Sequence, residues 1–307
     1  MQLRLFAPRY WLTWAGFVVL RLLAFLPYPA LLALGRALGL LVLRLPTGWA
    51  QIARRNLQLC LPELTPGERE RLLREHFASL GIGLMEIPLA WWASRARIEH
   101  LVQVEGIEHL RAAQARGHGV IVLTAHFTPM ELAGRTLGQL TPMRFLYRPT
   151  KNEALAYIMD RCRRGFGSYP IPRDDIRGFV QALRRGEVVW YAPDQSYRHK
   201  GAEMVPWFGI PAATNTLTPR LARTTGAAVL PFFLQRLPGA RGYRAVLHPS
   251  LENYPSGDPI TDTERFNHLI EAQVRQAPEQ YLWIHRRFKG LSADYPNYYA
   301  RQAPRRA

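Results

Sequence analysis

Val120-Ile-Val-Leu-Thr-Ala-His-Phe-Thr-Pro-Met-Glu-Leu-Ala-Gly134 is the stretch whose reading decides the fold. Val120–Leu123 is a short, uninterrupted β-branched and apolar run, the pattern of a strand buried on both faces. It stops at Thr124-Ala-His126. Thr128-Pro-Met-Glu131 then reads as a helix start, with Thr128 as N-cap, Pro129 at the first helical position and Glu131 closing a capping box. A histidine therefore stands where a strand ends, and a carboxylate stands in the first turn of the next helix. In open α/β sheets ligands bind in the crevice beyond the carboxyl ends of the strands.

The pair His126 and Glu131 has a chemical use. A neutral imidazole near pH 7 can take a proton from an attacking hydroxyl, typically worth ~10²–10⁴ in rate. A carboxylate beside it orients the ring and stabilises the imidazolium. A spacing of five residues brings the two together only if the chain turns between them, which Thr-Pro provides. The same Thr-Pro-x-Glu device recurs at Thr65–Glu68, where no histidine precedes it. A capping role for Glu131 and a structural role for His126 thus stay as open as catalysis on the residues alone.

Outward from this stretch, strands are expected at Gly119–Leu123, Arg144–Tyr147, Val188–Ala192, Ala228–Leu234 and Tyr243–Leu247. Helices are expected near 130–139, 153–165, 174–185, 215–225 and 262–276. The alternation predicts an α/β fold with a mixed, largely parallel sheet covered by helices. Residues 46–100 carry a helical pattern, with Leu72, Leu73, Phe77, Leu80 and Leu84 three to four apart after Thr65-Pro66. Trp91 and Trp92 are read as core. If the Arg144 and Val188 strands flank Val120–Leu123 in parallel, Arg148 and Asp194 face the crevice of His126. Taken singly, Arg148 reads as a surface ion pair and Asp194 as a turn residue. Arg161, Arg163 and Arg164 crowd one helix end, where cations are favoured anyway or are held for an oxyanion. Val205–Ala212 reads as a substrate-side loop. Pro278–Lys289, aromatic and basic, reads as a final strand, a lipid-headgroup contact, or both. Arg301–Ala307 reads as a solvated tail.

Residues 1–45 differ from the rest and are set apart from a domain over 46–307. Trp11–Leu26 is apolar apart from Arg21, Pro27-Tyr-Pro29 breaks the run, and Ala30–Leu45 is apolar again around Arg36 and Arg44. Each half is shorter than the ~20 residues of a clean span. Membrane attachment is preferred over a buried hairpin. It takes the form of one tilted transmembrane helix with snorkelling arginines or of two helices lying in the interface.

The 307 residues hold 40 Lys+Arg against 23 Asp+Glu, a formal charge of +17 that calls for anionic partners. The two cysteines, Cys60 and Cys162, form no CxxC or Cys/His cluster, so neither a zinc site nor a disulfide framework is indicated. The absence of GxSxG, HExxH, Walker A and strand-following GxGxxG motifs removes most support for serine hydrolases, zincins, NTPases and dinucleotide enzymes. No nucleic-acid-binding motif accompanies the basic charge.

The chain resembles the late acyltransferases of lipid A biosynthesis over nearly its whole length. The resemblance is carried by the apolar N-terminus, His126-x4-Glu131, Tyr147-Arg148-Pro149, Val188–Gln195, Val205–Ala212 with Thr214, and Pro278–Lys289. It implies a glycerol-phosphate-acyltransferase-like fold. It also implies transfer of a fatty acyl chain from acyl carrier protein to a hydroxyacyl chain of a lipid A precursor of the Kdo2-lipid IVA type. His126 and Glu131 are then the catalytic pair, joined by an arginine and an aspartate that map to Arg163 and Asp194, with Arg164 competing for the arginine. Arg148, Arg164, Gln195, Arg286 and Arg287 are the expected substrate contacts. No cofactor, metal or covalent intermediate is called for. The implied setting is the cytoplasmic side of a Gram-negative inner membrane, whose lipids, with the acidic carrier and the precursor's phosphates, match the positive charge. A single full span cannot place both the N-terminus and residues 46–307 there. Acyl transfer to another lipid (a lysophospholipid or ornithine-type lipid) and a non-catalytic basic membrane-binding role are the competing readings.

Overall fold

The computed structural model describes residues 3–148 and 150–300; Pro149 and the Arg301–Ala307 tail lie outside the described residues. Two 3-10 turns, Leu3–Phe6 and Pro8–Tyr10, lead into α1 (Trp11–Leu23), α2 (Tyr28–Leu43), α3 (Trp49–Cys60), α4 (Pro66–Trp92) and α5 (Arg95–Leu101). Then come β1 (Val102–Glu105), α6 (Ile107–Ala115), β2 (Val120–Leu123), α7 (Met130–Leu140), β3 (Met143–Tyr147), α8 (Glu153–Arg164), β4 (Ser168–Pro172), α9 (Ile176–Arg184) and β5 (Val188–Tyr191). The chain ends with β6 (Ala202–Trp207), β7 (Ile210–Asn215), α10 (Leu217–Thr225), β8 (Ala228–Arg236), β9 (Tyr243–Leu247) and α11 (Pro259–Gln276).

Seven strands form the main sheet in the order β1-β9-β8-β2-β5-β3-β4. From β8 to β4 the pairings are parallel, whereas β9 runs antiparallel to β8 and carries β1 with it. The expected α/β fold with a mixed, largely parallel sheet is what the chain adopts. β2 lies in the middle, and its four residues are wholly shielded from solvent. Val120 and Val122 enter one core and Ile121 and Leu123 the other, which is why the run does not alternate. Burying each such side chain contributes ~1.5–3 kcal/mol.

Sequence patterning missed β1 and β4, short strands at the two edges where half-exposed residues replace an apolar run. Val205–Ala212 is not a loop. It forms most of an antiparallel hairpin of β6 and β7, turning at Phe208-Gly209, both with positive φ. Pro278–Lys289 is not a strand either: it contains a 3-10 turn, Pro278–Gln280, and one isolated bridge between Phe127 and Tyr281.

The capping box expected at Thr128–Glu131 does not form. Pro129 is the N-cap of α7, without a side-chain cap, while Thr65 and Glu68 do make the reciprocal pair at the start of α4. Thr128 and Glu131 are engaged elsewhere, as described below.

The expected transmembrane helix is also corrected. Among the described residues no helix is long and apolar enough to cross a membrane. Pro27 separates α1 from α2, and α2 packs on α4 backbone to backbone. A Cβ on Gly39 would fall 1.9 Å from the Phe77 carbonyl oxygen, and one on Gly81 2.0 Å from that of Gly35. Helix α1 buries Phe17 but leaves Trp11, Leu12, Val18, Val19 and Leu22 exposed, and Phe25 in the turn that follows is exposed too.

Candidate active site

Register brings the first two site residues together. Leu123 of β2 is paired with Tyr191 of β5 in parallel, so residues an equal number beyond each leave the sheet side by side. His126 and Asp194 are each three residues past that pair. The His126 ring donates from Nδ1 to Asp194 Oδ1 at 2.7 Å, and its backbone N–H donates to Oδ2 at 3.1 Å. Tyr281 adds its hydroxyl to Oδ2 at 3.0 Å. A carboxylate only accepts, so Nδ1 carries the proton and Nε2 keeps its lone pair. The His126 side chain remains about a quarter exposed (26 %), whereas Asp194 is buried.

The electrostatics follow from this contact. Burial works against a charged His126, yet the Asp194 carboxylate beside it prevails and raises the ring above its ordinary value. For Asp194 burial alone would favour the neutral acid, but the His126 ring, with the Tyr281 hydroxyl, holds it below the usual carboxylate range. His285 behaves oppositely. Burial lowers it to about 4, so it stays neutral and accepts the Ser196 backbone N–H on Nε2 at 3.1 Å, fixing the turn after Asp194.

Glu131 does not orient His126. Its carboxylate is clamped bidentately by Arg163, Nε to Oε1 at 2.9 Å and NH2 to Oε2 at 2.7 Å, and Oε1 also accepts the Trp91 indole N–H at 2.7 Å. The fork geometry suits a guanidinium, and the Arg163 plane also lies over the Phe145 ring at 5.0 Å. Arg164, the competing arginine, turns away to Asp160. The expected pairing is thus exchanged: aspartate serves histidine, and glutamate serves arginine.

The loop between them is held from three sides. The Thr128 hydroxyl meets Ser79 Oγ at 2.8 Å and Arg236 NH2 at 3.3 Å, and Arg236 forms a buried double contact with Glu86 at 2.6 and 2.9 Å. Backbone bonds tie Thr128 N to Gln280 O and Leu282 N to His126 O. Gly83 of α4 approaches so closely that a Cβ would sit 2.6 Å from the Thr128 carbonyl. Such a loop keeps its side chains where they are without a ligand.

A cavity of about 920 Å³ opens beside this loop, between α7, α8 and the faces of β3, β4 and β5. Glu131, Arg163, Arg164 and Arg148 line it, with Phe145 and Trp190 among its apolar walls. Gln195, half-buried, follows Asp194 but does not line it. Arg286 stacks over Tyr299, and buried Arg287 donates to Ala213 O and Thr214 Oγ1; neither reaches the cavity. The β6–β7 hairpin contributes nothing to its walls. Sequence reading missed Tyr281, Trp91 and His285 as supporting residues. They come from distant elements, and only the histidine in Pro278–Lys289 gave any local signal.

Residues 1–290 match the family model for bacterial lipid A biosynthesis acyltransferases. The chain belongs to that family. It is 42 % identical over 283 residues to the lipid A biosynthesis palmitoleoyltransferase of Escherichia coli (strain K12), covering 92 % of each chain. It is 40 % identical over 293 residues to the lauroyltransferase of the same organism, covering 95 % of this chain and 96 % of that one. A more distant relative, the myristoyltransferase of that strain, is 28 % identical over 285 residues, 90 % of this chain and 86 % of its own. As a member of these acyltransferases, the chain is an enzyme of lipid A biosynthesis, and its site is read in those terms.

Proposed function

We propose that the chain transfers a fatty acyl group from acyl carrier protein to a hydroxyl on an acyl chain of a lipid A precursor of the Kdo2-lipid IVA type. His126 Nε2 takes the hydroxyl proton as the oxygen attacks the thioester carbonyl. A C–O bond forms, the C–S bond breaks, and the imidazolium returns its proton to the leaving sulfur. Asp194 holds the ring and offsets its transient charge. Arg163, fixed by Glu131, presents its remaining N–H groups to the cavity, where they meet the carbonyl oxygen as it becomes negative. Arg148 and Arg164 at the cavity offer charge to phosphate groups. The observation that carries the reading is the His126–Asp194 contact, because it leaves a proton-accepting nitrogen at the end of the central strand. The ring is not itself among the residues lining the cavity, whose nearest lining residues along the chain are Met130 and Glu131 at the far end of the same loop.

The exposed apolar face of α1 supports attachment to an anionic leaflet in the plane of the interface, on the cytoplasmic side of the inner membrane. Arg9 and Arg21, both exposed, accompany Trp11, Leu12, Val18, Val19, Leu22 and Phe25.

The test is mass spectrometry of lipid A from Gram-negative cells lacking endogenous late acylation, with and without this chain. The wild-type chain is expected to add one acyl group, and His126→Ala to lose ~10²–10⁴ of the rate. Unchanged acylation by His126→Ala overturns the mechanism; addition to a different lipid overturns the acceptor.

A further inference from the structure

Asp194 is not the only buried charge at this site. Arg287 is 3 % exposed and makes no ion pair among the described residues. Its NH1 and NH2 groups donate only to neutral oxygens, Ala213 O at 3.1 Å and Thr214 Oγ1 at 2.7 Å, and its Nε has no partner. A guanidinium stays charged at any working pH, and a buried charge left unpaired is costly. The opposite charge lies close by. Arg287, His285 and Tyr281 line one small internal space, and the Trp207 ring lies 5.3 Å from Arg287 Cζ and 5.7 Å from the Tyr281 ring. Tyr281 in turn donates its hydroxyl to Asp194 Oδ2 at 3.0 Å. Burial and the Asp194 charge keep that hydroxyl protonated, so it serves the carboxylate as a donor.

The other titratable groups packed around the pair do not balance Asp194. His285 and, on α4, His76 are both lowered to about 4 by burial and stay neutral. Burial pushes the Cys60 thiol of α3 up, and Tyr299 up to about 12. Glu131 and Arg163, at the far end of the loop, offset each other. Glu279, Arg286 and Lys289 all reach solvent, which screens them. We propose that Tyr281 and Arg287 are positioning residues that share the charge of the Asp194 carboxylate, so that it orients the His126 ring without fixing a second proton on it. This inference rests on the general-base reading above. A base must be neutral to accept the hydroxyl proton, and a bare aspartate beside the ring would favour the imidazolium at rest. A donor on the carboxylate and a cation one aromatic ring further away oppose that pull, and they act on His126 only through Asp194.

The experiment uses the full chain with isotope-labelled histidine, the His126 resonance being identified by its loss in His126→Asn. Its titration midpoint is read by NMR, beside the pH profile of kcat for acyl transfer. Tyr281→Phe keeps the ring and its packing and removes the donor. The midpoint and the acid limb of kcat are expected to rise together by ~1 pH unit, with KM unchanged. Arg287→Gln removes the charge and keeps a donor, and is expected to act in the same direction; Arg287→Lys should restore the wild-type midpoint. A merely structural role would lower activity without moving the midpoint. A midpoint that stays in place in Tyr281→Phe overturns the proposal, and this one-atom change decides it even where an arginine variant does not fold. A midpoint that stays in place in Arg287→Gln, or rises equally in Arg287→Lys, removes the arginine from it. If the wild type transfers no acyl group while Tyr281→Phe still moves the midpoint, the transfer reading fails and the charge sharing stands.

Discussion

The His126 imidazole is governed by one neighbour. The Asp194 carboxylate, against the opposing pull of burial, keeps the ring above its ordinary pKa. Only the neutral ring can accept a proton, so the rate should climb as pH rises through that raised value. Asp194→Asn removes the anion and leaves the burial, so the ring titrates at lower pH. The acid limb of the kcat profile should therefore move to lower pH, while the plateau falls by ~10²–10⁴ because the tautomer and the imidazolium lose their support. Profiles of wild type and variant settle it; an acid limb that stays in place counts against the coupling. Glu131 shows the other lesson of this scale. A carboxylate five residues from a histidine, in a helix's first turn, has three calls on it: the ring, the helix N–H groups and any arginine. A bidentate guanidinium with an added indole N–H outweighs both local options.

Among the elements, α2 and α4 make their closest approach through glycines. Gly35, Gly39 and Gly81 bring the two backbones together, and no side chain fits at these three positions. Gly39→Ala is expected to cost ~1–3 kcal/mol through overpacking, or more where the backbones cannot part. Gly16→Ala, in α1 with nothing within 4 Å of the new Cβ, should be neutral or stabilising by ~0.5–1 kcal/mol. Denaturant midpoints of the two variants check the contrast; equal midpoints would mean that the helices adjust freely. The capping boxes differ for a related reason. Thr65 and Glu68 are at the surface with no stronger partner, so they pair with the helix end. Thr128 lies against Ser79 and Arg236, and its hydroxyl joins that buried network instead.

Across the whole molecule, the positive charge and the bare side of α1 belong to one surface problem. An apolar helix face left open to water beside exposed arginines suits an anionic leaflet, where burial and charge act together. Leu12→Glu and Val19→Glu should each weaken binding to anionic phospholipid vesicles by about tenfold, the worth of one buried aliphatic side chain. Added salt should weaken what remains. Vesicle sedimentation that is indifferent to both substitutions would place the contact elsewhere.

Local pattern was enough for the strands that matter and for the fold class, because a centrally buried strand must be apolar throughout and a strand–helix alternation must pair in parallel. It marked His126 and Glu131 as chemically capable groups at a strand end and a helix start. Arg163 and Asp194 were picked from their neighbours only through the family resemblance, because one arginine among three at a helix end and one aspartate in a turn carry no distinguishing local signal. Edge strands escaped because burial on one side writes no continuous apolar run. What only the tertiary structure decided was who pairs with whom. Register between β2 and β5 gave His126 to Asp194, the turn of α8 gave Glu131 to Arg163, and the close packing of α4 on α2 drew an apolar N-terminal helix into the body of the protein. Those outcomes depend on distances between residues tens of positions apart, and no spacing along one chain contains them.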